Sequence, residues 1–286
     1  MVSTLADLVS PLTESAFVAQ LRARTPLVQR AAGIGRYATL IDWNSLLRAV
    51  IDGTIPADRL RLTQGGKFLP NALYRHGDAV KPQVVEQVMA NAGSIMANGV
   101  ESYLATFTTL CANLGEQLGE HVSAGVIATI GPGGALDLHY DDADLAILQI
   151  EGRKRWIIHG DPALDPVPGM KTPPGDSNSE TPPELDIILE PGDFLFVPAG
   201  YRHRCENQGE RSLHAGIFFW PLTMARAFTL LRGAAIADPA QRRPLRAGAD
   251  EAADEEAVLK DALIAQIRAL SLTDLRARHR ATKPTT

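Results

Sequence analysis

The sequence predicts a mainly β fold, an antiparallel sandwich or barrel, with helical layers before and after it. Short apolar runs punctuated by glycine and proline fill residues 122–220, and this succession of strand and turn signals is typical of antiparallel β domains. On either side, apolar residues recur at helical spacing instead. A chain of 286 residues is long enough to bury a sizeable core.

The first third of the chain carries three helix signals. "WNSLLRAVIDG" (43–53) and "KPQVVEQVMANAG" (81–93) each place apolar residues on one face and end on a glycine, which is a helix-stop signal. "ESYLATFTTLCANLGEQLG" (101–119) is a longer amphipathic segment. We therefore expect residues 1–121 to form a helical and extended region that packs on the β core.

Residues 122–222 are expected to form that core. Its strand candidates are "AGVIATI", "LAILQI", "RWIIHG", "LDIILE", "DFLFVPAG" and "LHAGIFFW". The segment 165–184 is rich in Pro, Gly and Ser and is predicted to be a long loop, either a lid over a site or a surface excursion.

Residues 223–286 return to a helical pattern. "ADEEAVLKDALIAQIRALSLTDLRARHR" (253–280) begins with acidic residues and carries Arg268 near the end of its apolar-periodic part, as the helix dipole favours. Its apolar stripe consists of Leu259, Leu263, Ile267 and Leu270.

Composition excludes several classes of function. A net charge of −5 gives no basic footprint for a nucleic-acid partner. The two cysteines form no CxxC pair, which argues against zinc ribbons and dithiol redox motifs. The N-terminus shows no signal-peptide pattern, and no stretch approaches the roughly 18 apolar residues of a membrane span. We expect a cytoplasmic protein with no membrane or nucleic-acid partner.

A metal site is predicted in "LHYDDADLAILQIEGRKRWIIHG" (138–160). His139 and Asp141 are two residues apart, so on a strand their side chains project from one face. The third ligand is predicted in "GDFLFVPAGYRHRCEN" (192–207), where His203 follows a Pro-x-Gly turn. Two histidines and one carboxylate leave positions open on Fe(II), whereas zinc prefers a closed tetrahedral set.

The spacing around these ligands resembles the two cupin motifs. Gly133 and Gly152 flank the first ligand pair as in the first motif. The second motif is matched by Gly192, Pro198, Gly200, His203 and Asn207. From about residue 125 to 220 the chain is similar to the JmjC branch of the cupins, above all to the ribosomal-oxygenase group, in which "HYDD", an apolar strand, "LEGRK" and "PxGxxH" recur in this order.

The resemblance implies a double-stranded β-helix core and an Fe(II)- and 2-oxoglutarate-dependent oxygenase that consumes O2. In such enzymes a basic residue fifteen positions after the first metal histidine binds the distal carboxylate of 2-oxoglutarate, and here that residue is Lys154. His214 is a second candidate for cosubstrate binding. Asn207 and Asp144 are candidates for supporting the metal ligands through hydrogen bonds, and Trp156 is interpreted as a packing residue. No catalytic residue beyond the metal centre is implied.

The substrate is left open between several classes. The first hypothesis is hydroxylation of an amino-acid side chain in a protein or peptide. The alternatives are the same chemistry on a free or carrier-bound small molecule in specialised metabolism, and a non-catalytic metal-binding cupin. "SAGVIATIGPGG" lacks the Asn and Tyr that ribosomal oxygenases carry before the first motif. About 65 residues follow the core, enough for dimerisation helices but not for a winged-helix domain as well, so we expect a homodimer and a smaller substrate.

Overall fold

The computed structural model divides the described part of the chain into two compact units, which are treated separately below. The first comprises Met1–Leu118 with Val122–Trp220, and the second comprises Gly119–His121 with Pro221–Thr286. The predicted loop at 165–184 lies mostly outside the described residues. In chain order, the structure describes residues 2–31, 35–133, 136–160, 162–163, 165–167, 170, 182–242 and 252–281.

Helices dominate both ends of the described chain, and strands dominate its middle. No helix of the described ranges is long and apolar enough to cross a membrane. The helices are α1 (Leu5–Val9), α2 (Glu14–Ala23), α3 (Trp43–Ile51), α4 (Asn71–Tyr74), α5 (Pro82–Ala90), α6 (Ala105–Leu118), α7 (Met224–Ala237), α8 (Ala252–Ala269) and α9 (Leu272–Ala281). The strands are β1 (Leu27–Gln29), β2 (Leu60–Gln64), β3 (Lys67–Phe68), β4 (Arg75–His76), β5 (Ala79–Val80), β6 (Gly93–Asn98), β7 (His121–Ile130), β8 (Asp144–Glu151), β9 (Lys154–His159), β10 (Pro183–Leu189), β11 (Phe194–Val197), β12 (His203–Asn207) and β13 (Arg211–Trp220).

An eight-stranded sheet, ordered β1-β11-β8-β13-β7-β6-β2-β3, forms the larger wall of the first unit. Strand β8 carries an unbroken apolar run from Leu145 to Leu148. Leu145 and Ile147 face one hydrophobic cluster, whereas Ala146 and Leu148 face another. A strand covered on both faces has no polar alternation to show.

A three-stranded sheet, ordered β10-β9-β12, forms the opposite wall. Trp156 and Ile158 of β9 share one hydrophobic cluster with Leu195 and Val197 of β11 in the large sheet. Side chains from the inner faces of two sheets thus fill the space between them, as in double-layered β folds. The expected mainly β fold with flanking helices is confirmed.

The N-terminal part of the chain both covers and extends the large sheet. Its strands β1, β6, β2 and β3 are members of that sheet. Phe17 of α2 is fully buried, with its ring 5.7 Å from Phe194, 5.4 Å from Phe196 and 6.0 Å from Phe219. The three helices predicted in this region are present as α3, α5 and α6.

The second unit consists of α7, α8 and α9 together with residues 119–121. His121 donates a ring N–H to the backbone carbonyl of Arg280, at 3.0 Å. The buried His279 lies beside it, with ring centroids 6.4 Å apart. Many apolar side chains of these helices are exposed: Met224, Phe228, Ile236, Val258, Leu259, Leu263, Ile264, Ile267 and Leu272.

Candidate metal centre and the buried lysine

The first two predicted ligands precede strand β8 rather than lying on it. The strand begins at Asp144, and His139 instead makes an isolated bridge with His203. Two backbone hydrogen bonds close this bridge, from His139 N to His203 O (3.1 Å) and from His203 N to His139 O (2.7 Å). The expectation of a regular strand through His139 and Asp141 was wrong, yet the bridge still brings the two imidazoles to a centroid distance of 4.5 Å.

The Pro-x-Gly turn fixes the approach of the third ligand. Gly200 has φ +87°, and a Cβ there would lie 2.1 Å from the carbonyl oxygen of Ala163, so only glycine fits. Its N–H donates to the backbone carbonyl of Asp141, at 2.9 Å. The turn before His203 is therefore tied directly to the segment that carries the carboxylate.

The three predicted ligands form a compact donor set. Asp141 Oδ1 lies 3.9 Å from His139 Nε2, and its Oδ2 lies 3.7 Å from His203 Nε2. One donor atom from each residue lies within 4.8 Å of the others. Because metal–ligand bonds of these types are about 2.0–2.2 Å long, neighbouring donors on one ion lie about 3–4 Å apart. The set fits a single divalent ion with small adjustments.

Hydrogen bonds orient both imidazoles for coordination. Nδ1 of His139 donates to the carbonyl of Asp137 at 2.8 Å, and Nδ1 of His203 donates to that of Tyr201 at 2.9 Å. With the proton held at Nδ1, each Nε2 keeps its lone pair. Burial, with a smaller contribution from His139, lowers the pKa of His203 to about 4. His203 is therefore neutral near pH 7, as a metal ligand must be.

Lys154 enters the space between the sheets from a tight turn. Gly152 in this turn has φ +64°, and a Cβ there would lie 2.0 Å from the carbonyl oxygen of Arg211. The Lys154 side chain is fully buried, and its Nζ lies 3.1 Å from Thr129 Oγ1 and 3.4 Å from His214 Nδ1. Neither partner is a carboxylate, and among the described residues no ion pair of Lys154 is found. Burial lowers the pKa of Lys154.

His214, which the sequence offered as a candidate for cosubstrate binding, lies next to Lys154. It is buried on β13, and burial, followed by the charge of Lys154, holds its pKa well below the usual value. A neutral His214 can accept a hydrogen bond from the Lys154 ammonium at Nδ1. Thr129, the other partner of Lys154, was not predicted. Nothing in the sequence "AGVIATI" distinguishes it, and only the pairing of β7 with β6 shows which face of the strand its side chain is on.

Asn207 and Asp144 lie at the margins of the metal centre. Asn207 Nδ2 donates to the carbonyls of Gly131 (2.7 Å) and Gly209 (2.9 Å), so it joins two loops. Asp144 Oδ1 accepts from the backbone N–H of Ala199 at 2.8 Å, next to the Pro-x-Gly turn. Burial raises the pKa of the Asp144 carboxyl. These bonds hold loops around the ligands rather than the ligands themselves.

A pocket of about 370 Å³ is lined in part by Thr129, the hydrogen-bond partner of Lys154. Its wall includes Thr129 and Cys205 from inside the barrel, and Leu138 next to the first ligand. Arg204 and Glu206 lie at its polar rim. A small molecule in this pocket would contact Thr129, the partner of Lys154, and Leu138, the neighbour of His139.

The chain is similar to known proteins in sequence and in fold. Residues 104–226 match the family model of the JmjC domain. The chain is 28% identical over 216 residues to the bifunctional lysine-specific demethylase and histidyl-hydroxylase NO66 of Drosophila persimilis, covering 74% of this chain and 31% of that protein. It is 28% identical over 218 residues to ribosomal oxygenase 1 of Bos taurus, covering 72% and 31%. The chain thus spans about a third of the length of these curated relatives.

Solved structures agree on the fold. The Escherichia coli ribosomal oxygenase YcfD in complex with cobalt and 2-oxoglutarate superposes with a TM-score of 0.59 at 18% identity, covering 91% of this chain and 68% of that one. Another crystal structure of YcfD gives a TM-score of 0.58 at 17% identity, covering 92% and 68%. Residues 104–226 thus match the JmjC domain in sequence, and the chain has the fold of these ribosomal oxygenase structures.

Proposed function

We propose that this chain is an Fe(II)- and 2-oxoglutarate-dependent dioxygenase that hydroxylates an unactivated C–H bond on an amino-acid side chain of a protein or peptide. One observation carries the proposal: an open two-histidine, one-carboxylate donor set shares a barrel with a fully buried lysine that has no carboxylate partner among the described residues. An open triad admits further ligands on the ion, and a buried ammonium favours an anion.

Different side chains would bind the two ends of the cosubstrate. His139, Asp141 and His203 would hold Fe(II), which supplies the oxidising chemistry when 2-oxoglutarate and O2 are bound. Lys154 would neutralise the distal carboxylate of 2-oxoglutarate, and Thr129 and His214 hold the ammonium in place through hydrogen bonds. The apolar walls from both sheets exclude water from this space.

The relatives support a protein substrate. Two of them bear names that denote action on histidyl or lysine side chains or on ribosomal components. A small-molecule substrate is the competing outcome, because "SAGVIATIGPGG" offers no Asn or Tyr before the first motif. Screening for a mass gain of one oxygen atom in ribosomal-protein peptides and in metabolite pools separates the two classes.

Uncoupled turnover tests the chemistry. Protein prepared anaerobically with Fe(II) should convert 2-oxoglutarate to succinate when O2 is admitted, and His139→Ala should abolish succinate formation because one ligand of three is lost. His76→Ala, an exposed histidine on β4, is the matched control and should keep wild-type turnover. No succinate from the wild type, or full turnover in His139→Ala, would overturn the proposal.

Two further proposals concern the state of the chain in the cell. The exposed apolar residues Leu259, Leu263 and Ile267 of α8 support a homodimer formed through the C-terminal helices. The free cysteines Cys111 and Cys205 support a reducing compartment such as the cytoplasm. Localisation of a fluorescent fusion tests the second proposal, and a signal outside the cytoplasm would contradict it.

A further inference from the structure

The indole N–H of Trp156 is a buried donor without an acceptor among the described residues. Only 3% of the residue is exposed, and Nε1 has no hydrogen-bond partner in the part of the chain that the structure describes. A buried polar group left unpaired costs about 1–3 kcal/mol, and native proteins pair nearly all of them. The indole N–H therefore has no acceptor among the described residues and can donate to a bound molecule.

The strand register places this donor between the two ends of the candidate site. Lys154 and Ile158 share the inward face of β9 with Trp156, because alternate residues of a strand face one side. On the paired strand β12, His203 is opposite Ile158 and Cys205 is opposite Trp156. Along the inward face of β9, Trp156 thus lies between Lys154 and Ile158, the residue opposite His203.

Ring geometry gives the same placement. The Trp156 ring lies 5.9 Å from that of His203, at an interplanar angle of 36°. It meets the ring of His214 edge-on, at 5.5 Å and 85°. One neighbour is a predicted metal ligand, and the other is the hydrogen-bond partner of Lys154. The indole forms the stretch of wall between them.

We propose that Trp156 is a cosubstrate-binding residue whose indole N–H donates to a carboxylate oxygen of the dicarboxylate held between the metal ligands and Lys154. The inference rests on the proposed function. A carboxylate accepts such bonds strongly, because one partner is charged. Lys154 would neutralise the charge of the ligand, whereas the single, rigidly held N–H of Trp156 would fix the orientation of its carboxylate. Together they favour a short dicarboxylate over a monocarboxylate.

The indole N–H can be observed directly. The chain has three tryptophans, so protein labelled with ¹⁵N-tryptophan should give three indole N–H signals. Trp43→Phe and Trp220→Phe assign two of them, and the third then belongs to Trp156. With Zn(II) as a diamagnetic metal, 2-oxoglutarate should shift the Trp156 signal downfield and slow its exchange with solvent. Trp220 is the internal control, because its N–H already donates to Ser123 Oγ at 2.9 Å.

Binding measurements provide the second readout. Trp156→Phe keeps a ring and removes the N–H, so the Kd for 2-oxoglutarate in the Zn(II)-loaded protein should rise about tenfold by calorimetry. Trp220→Phe should leave the Kd within about twofold. If Trp156→Phe does not fold, the wild-type spectrum alone decides the matter.

The outcomes separate this inference from the proposed function. A ligand-induced shift at Trp156 together with the raised Kd supports it. If 2-oxoglutarate binds the wild type and loses affinity in Lys154→Ala, but the Trp156 signal does not move, the inference falls and the proposed function stands. If 2-oxoglutarate does not bind the metal-loaded wild type at all, both fall.

Discussion

Lys154 is the single residue at which the proposed binding function would come at the expense of stability. The Lys154 side chain is fully buried, and burial lowers its pKa. Its hydrogen-bond partners Thr129 and His214 are uncharged when the lysine is protonated. A buried charge without a counter-charge destabilises the folded state. A bound dicarboxylate would remove that penalty, so stability and binding are coupled at one atom.

Replacing Lys154 by methionine should therefore have opposite effects on stability and on binding. Methionine keeps much of the volume without the charge, and the free energy of unfolding of the ligand-free protein should rise by about 1–3 kcal/mol in urea denaturation. The increase in Tm that 2-oxoglutarate gives the metal-loaded wild type should vanish in the variant. A destabilised Lys154→Met protein would mean that the ammonium is already stabilised within the folded chain.

The same substitution has a predictable pH dependence. The folded-state pKa of Lys154 is lowered from 10.5. Between the folded and unfolded pKa values the unfolded chain binds the extra proton, so wild-type stability rises relative to Lys154→Met as the pH rises towards 10.5. The advantage of the variant should therefore be largest near neutral pH and shrink above it. A constant difference from pH 7 to pH 10 would contradict this assignment.

At this scale, the sequence predicted a set of three metal ligands. The structure brings His139, Asp141 and His203 together through the bridge between His139 and His203, although the first two lie off the strand. Trp156 was interpreted as a packing residue, because no sequence signal reveals that its indole N–H lacks a partner among the described residues. Thr129 was not identified, because its place beside Lys154 depends on which face of β7 points inward. That face is fixed by strand pairing over long sequence separations.

The turn between β8 and β9 is the element on which the position of Lys154 depends. A Cβ at Gly152 would lie 2.0 Å from the carbonyl oxygen of Arg211, at a positive φ. Gly152→Ala should lower the free energy of unfolding by at least about 2 kcal/mol and weaken 2-oxoglutarate binding, because the backbone must shift. Chemical denaturation and calorimetry measure the two effects.

Gly209→Ala is the matched control for this substitution. It lies in the neighbouring turn before β13, and a Cβ there meets nothing within 4 Å. Its effect should stay within about 0.5 kcal/mol. Equal losses in the two variants would show that the close approach at Gly152 is not what determines the geometry of the turn.

Helix α2 is tied to the large sheet through one aromatic side chain. Phe17 is fully buried against Phe194, Phe196 and Phe219. Phe17→Ala should therefore cost about 3–5 kcal/mol of unfolding free energy in urea. Phe68→Ala, at a residue that is 53% exposed, should cost less than about 0.5 kcal/mol. A small effect at Phe17 would contradict an integral role for the N-terminal helices.

Helices and strands were predicted correctly where the apolar pattern of the sequence matches the burial of the folded element. The helices α3, α5 and α6 have one apolar face each, and strands β8 and β13 are runs too apolar for exposure. The participation of β1 in the large sheet was not predicted, because Leu27–Gln29 is too short to carry a periodic signal. Its pairing with β11 is a long-range contact.

At the scale of the whole molecule, the candidate site belongs to the first unit, whereas the second unit is rich in exposed apolar side chains. Every predicted ligand and Lys154 lie in the first unit. The second unit exposes Leu263 and Ile267, one helical turn apart on α8, at 50% and 56%. Apolar residues exposed at this spacing are typical of helices that pair with another helix.

A homodimer through the C-terminal helices makes a separable prediction. In sedimentation velocity experiments at micromolar concentration the wild type should run as a dimer, and the double variant Leu263→Glu/Ile267→Glu as a monomer, because buried carboxylates without partners oppose association. Ala265→Glu is the control, since it lies on the opposite side of the same helix and should stay dimeric.

The monomeric variant should still turn over 2-oxoglutarate, because no predicted site residue belongs to the second unit. A monomeric wild type would remove the dimer from the proposal, whereas a monomeric variant without turnover would mean that the site needs both chains.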